Sequence, residues 1–68
     1  MAEEWVMIRT ETDNFKSEII RTLLEEHGIS CVLMNKKDSA YSHLGEIEIF
    51  VSRNAVVFAT HLLSKSEI

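Results

Sequence analysis

The chain has no proline, only two glycines and a single cysteine in its 68 residues. Without a Pro-, Gly- or Ser-rich stretch it carries no linker or low-complexity segment, and no internal repeat is visible. The lone thiol, Cys31, has no partner for an internal disulfide. No apolar run approaches the roughly 18 residues that a membrane-spanning helix needs. The opening "MAEEW" is acidic and leads directly into strand-forming residues, unlike a signal peptide. Positive charge is scarce as well. Seven Lys and Arg against eleven Asp and Glu leave a net charge of −4 and a pI near 5.2. That balance disfavours binding to nucleic acid or anionic lipid. These absences lead us to expect a cytoplasmic protein with no nucleic-acid partner and no membrane.

What is present is the composition of a small globular domain, with 46% hydrophobic and 26% charged residues. We expect one domain over residues 1–68. A chain this short buries only about 60% of the surface its unfolded form exposes, so one small core must hold it. "WVMIRT" (Trp5–Thr10) is rich in β-branched and aromatic residues and predicts a first strand. Thr12, Asp13 or Asn14 can cap the helix that follows. In it Phe15, Ile19, Ile20, Leu23 and Leu24 recur at helical spacing, while Glu18, Arg21, Glu25 and Glu26 take the solvent side. Gly28 then occupies the place of a helix-ending glycine. "ISCVLMNK" (Ile29–Lys36) and "EIEIFV" (Glu46–Val51) predict two further strands. Ser52 is a fitting cap for a last helix from Arg53 to about Ser64, with Ala55, Phe58, Ala59, Leu62 and Leu63 as its buried stripe.

The order β-α-β-β-α predicts an α+β fold: a three-stranded antiparallel sheet in order 1-3-2 with both helices on one face. It is a ferredoxin-like plait lacking its fourth strand, and it leaves the first strand with a free edge. Alternation sends Val6, Ile8, Ile29, Cys31, Leu33, Ile47, Ile49 and Val51 toward the helices. It sends Trp5, Met7, Arg9, Val32, Met34, Lys36, Glu46, Glu48 and Phe50 to the other face. In the simplest register Arg9, Glu46 and Lys36 form a cross-strand charge ladder, and Trp5, Phe50 and Val32 form an apolar row with Met7 and Met34 beside it. An exposed cluster of Trp5, Met7, Val32, Met34 and Phe50 points to an interface. We therefore expect a homodimer through this open face or through the first strand's edge. The alternative is that the C-terminal tail or the long loop covers the cluster.

Residues with chemical potential do not fall into a catalytic pattern. Zinc sites use closely spaced ligand pairs, and His27, Cys31, His43 and His61 contain none. A set drawn from Cys31, Asp38, Ser39 and His43 has no nucleophile-elbow context. Trp5 and Phe50 stand where RNA-binding plaits carry stacking aromatics, but Glu46 and Glu48 share that face and no RNP motif is present. We expect no enzyme activity, cofactor or metal. The nine residues "KDSAYSHLG" (Lys37–Gly45) are long for a hairpin turn. Tyr41 and Leu44 can plug the open end of the core; alternatively Lys36, Lys37, Asp38, Tyr41 and His43 form a ligand or partner site.

The whole pattern resembles a small bacterial domain family of unknown function, described as putative prokaryotic signal-transducing proteins, with a fold related to the PII-like plait. The matching stretches are the opening "WV", "EIIRTLLEEHGI", "NKKDSAY", "GEIEIFV" and "FATHLL". The middle two resemble the form found in Bacteroidetes-type bacteria. Family members often carry proline or acidic residues at the start of the last helix, where this chain has "SRN". The resemblance implies a plait-like fold, a cytoplasmic location and a non-enzymatic regulatory or sensing role. It brings no ligand and no catalytic residue. The function expected is a regulatory or interaction module acting through a protein partner or homodimerisation. The alternative is a small-molecule or nucleotide sensor at the 37–45 loop.

Overall fold

A computed structural model describes residues 4–35 and 46–66. The described elements are β1 (Trp5–Glu11), α1 (Asn14–Glu26), β2 (Cys31–Asn35), β3 (Ile47–Ser52), one 3₁₀ turn (Arg53–Ala55) and α2 (Val56–Ser66). The strands form one antiparallel sheet in the order β1-β3-β2. Both helices pack on one face of it. β2 is shorter than the predicted Ile29–Lys36 because Ile29 and Ser30 belong to the turn leaving α1, and Lys36 lies outside the described residues.

Local chemistry fixes both ends of α1. Asp13 is the N-cap; its Oδ1 accepts the Phe15 backbone N–H at 3.0 Å. At the other end Gly28 has φ of +78°, the left-handed conformation that lacks a steric cost only for glycine. Its N–H donates to the Glu25 carbonyl at 3.0 Å, and the Ile29 N–H donates back to Leu24 at 3.0 Å. This pair of bonds is a Schellman cap, with the apolar contact between Leu24 and Ile29 that accompanies it. The chain is thereby turned straight from α1 into β2. Ser52 does precede the last helical segment, but its side chain makes no capping hydrogen bond.

The core joins Ile20 and Leu24 of α1, Ile49 and Val51 of β3, Ala59 and Leu63 of α2, and Ile29. Ile8, Cys31 and Leu33 pack against it half-buried, as the alternation predicts. Three residues of the expected helix stripes do not. Phe15 and Ile19 are exposed on α1, and Phe58 on α2. Five residues on from Phe15, Ile20 points about 140° away around the helix, so docking on Ile20 and Leu24 leaves Phe15 outside. Ser17 takes the buried place instead, with its hydroxyl donating to the Asn14 carbonyl at 2.8 Å. Phe58 lies about 100° from the fully buried Ala59. Its ring rests edge-on to His27, with centroids 6.3 Å apart.

One irregularity resets a face of the sheet. β2 pairs with β3 in constant register from Cys31↔Val51 to Asn35↔Ile47. β1 keeps register only from Trp5↔Ser52 to Met7↔Phe50, then resumes at Arg9↔Ile49 after a β-bulge at Ile8. The extra residue puts Arg9 and Glu11 opposite Ile49 and Ile47, on the helix side, and Thr10 opposite Glu48. Arg9 Nε lies 3.9 Å from Glu11 Oε2, as expected for side chains two apart on one face. The expected ladder of Arg9, Glu46 and Lys36 on the open face is therefore corrected, because Arg9 belongs to the other face. The apolar row is corrected too: Met7, not Trp5, stands opposite Phe50, and Trp5 stands opposite Ser52.

Candidate functional site

The open face of the sheet gathers the apolar side chains that the core leaves out. Phe50 is at its centre, because β3 is the middle strand and even-numbered residues there point away from the helices. Met7 flanks it on one side and Val32 on the other in direct cross-strand pairs. Trp5 lies diagonally beyond Met7's position, and Met34 next to Val32's. Trp5 is 42% exposed, Met7 46%, Val32 38% and Met34 51%, while Phe50 between them is half-buried. Trp5, Val32, Met34 and Phe50 line a shallow depression of about 210 Å³. All five residues predicted for the interface share this face.

The cluster has a polar margin. Glu48, half-buried, stands opposite Thr10 and Met34, and Glu46 is exposed just before β3. Beyond Trp5, the Arg53 backbone N–H donates to the Glu4 carbonyl at 2.8 Å, and Arg53 Nη1 donates to Glu4 Oε1 at 2.6 Å. The backbone bond extends the β1–β3 ladder by one position. It holds Trp5 over the central strand.

A second depression, about 390 Å³, opens beside the turn that leaves α1 and is lined by Glu25, Gly28, Ile29, Ser30 and Cys31. Its one reactive group is muted. Burial pushes the Cys31 thiol up from its ordinary value, the Glu25 carboxylate adds to the effect, and Arg21 opposes it. A protonated thiol is a poor nucleophile and a poor metal ligand at neutral pH. His27 is engaged locally, with Nδ1 3.0 Å from the Leu23 carbonyl oxygen. His61 is exposed on α2. Among the described residues no three His, Cys, Asp or Glu side chains come together as a metal site.

Lys36, Lys37, Asp38, Tyr41 and His43, the predicted loop site, lie outside the described residues, as does Ser39. Two features escape the sequence reading. The first is the bulge at Ile8, for which "MIRTE" carries no signal beyond charges at Arg9 and Glu11 where alternation continues. The second is the apolar exposure on the helix side, at Phe15, Ile19, Val57 and Phe58; the width of the apolar stripes is the only hint of it. No described helix is long and apolar enough to cross a membrane.

The chain belongs to the family described as putative prokaryotic signal transducing protein, whose model matches residues 5–67. No curated protein and no solved structure matches it.

Proposed function

We propose that this member of a signal-transducing family is a non-catalytic interaction module that docks a protein partner on the open face of its sheet. The observation that carries the reading is the exposed cluster of Trp5, Met7, Val32 and Met34 around Phe50. Its exposed apolar area is roughly 400 Å², in the range where the largest patch on a monomer is often functional. The patch is smaller than the roughly 800 Å² that each partner contributes to a standard stable interface. Its size favours a reversible signalling encounter over a permanent complex. The depression under Trp5, at about 210 Å³, is smaller than the roughly 300–1,000 Å³ of small-molecule sites. Protein rather than metabolite is the fitting occupant.

The test is site-specific photocrosslinking in the native cells. A photoreactive side chain at Met7 reports the open face; the same group at Val57, which is 82% exposed on α2, reports the helix side. The expected result is a discrete heterologous adduct from position 7, absent from position 57 and abolished by Trp5→Glu. Equal adducts from both positions, or an adduct that survives Trp5→Glu, overturn the reading. An adduct of twice the chain mass identifies a second copy as the occupant and overturns the choice of a heterologous partner.

A further inference from the structure

We draw no further inference here: the strongest candidate, the apolar surface that Phe15 and Ile19 of α1 and Phe58 of α2 leave exposed on the helix side of the sheet, carries none because nothing in the structure shows what covers it.

Discussion

The two faces of β3 are built from one six-residue stretch and obey different rules. Ile47, Ile49 and Val51 point to the helices and are buried, the last two completely. Glu48, Phe50 and Ser52 point the other way and are only half-buried. On the first face two helices and the flanking strands close a contiguous core. On the second, Met7 and Val32 shield Phe50 from either side but nothing described lies over them. A period of two thus separates the residues that hold the fold from those available to a partner. Substitutions on the two faces of this one strand should separate stability from binding.

The largest effect belongs to the helix face. Ile49 is fully buried at the centre of the central strand, between Leu33 on β2 and the bulge on β1. Ile49→Ala removes three carbons from a site with strands on both sides and helices above, which cannot collapse easily. The expected cost is about 3 kcal/mol in chemical denaturation, within the usual 2–5 kcal/mol for such truncations. For a domain this small that is a large share of its total stability. A cost below about 1 kcal/mol breaks the comparison, because it means the helix face is packed no better than the open one.

How much of this was legible in the sequence depends on what each residue had to signal. The period-two alternation of "EIEIFV" and the helix-ending glycine are local facts, and both elements stand where they were expected. The order 1-3-2 follows from element order and handedness. The five apolar residues of the open face were assigned correctly because alternation is a property of each strand. Their registration across strands is not: the bulge at Ile8 is a decision between two strands, and it moved Arg9 to the other face and Met7 opposite Phe50. Phe15, Ile19 and Phe58 failed for a related reason. A stripe of five apolar residues is wider than the line of contact, and only packing selects which edge of it is buried.

An intermediate effect is expected where α1 is returned to the sheet. Gly28 holds φ of +78° with open space where a Cβ would point. The cost of Gly28→Ala is therefore conformational and not steric contact with neighbours. We expect a loss of about 1 kcal/mol, the penalty of placing an L side chain in the left-handed region. The open-face residues should keep their solvent exposure in this variant, read from the quenching of Trp5 fluorescence by iodide. A loss several times larger, with altered Trp5 quenching, means that the turn controls both faces and that they are not separable.

The smallest effect is expected on the open face itself, and it is the sharpest test of the contrast with Ile49. Val32 is 38% exposed on β2 and stands directly across from Phe50. Val32→Thr keeps the β-branched shape that suits a strand. It exchanges one methyl for a hydroxyl that can turn to water. In the isolated chain this should change stability by less than about 0.5 kcal/mol, as surface substitutions ordinarily do. A valine covered by another part of the chain behaves otherwise. Burying that hydroxyl without a hydrogen-bond partner costs on the order of 1–3 kcal/mol. Denaturation should be measured at low protein concentration, so that association between copies does not enter the reading. A near-zero change there keeps the open face free in the isolated chain. A cost above about 1 kcal/mol at every concentration shows that the chain covers this face itself, and the two faces of the sheet then no longer differ in kind.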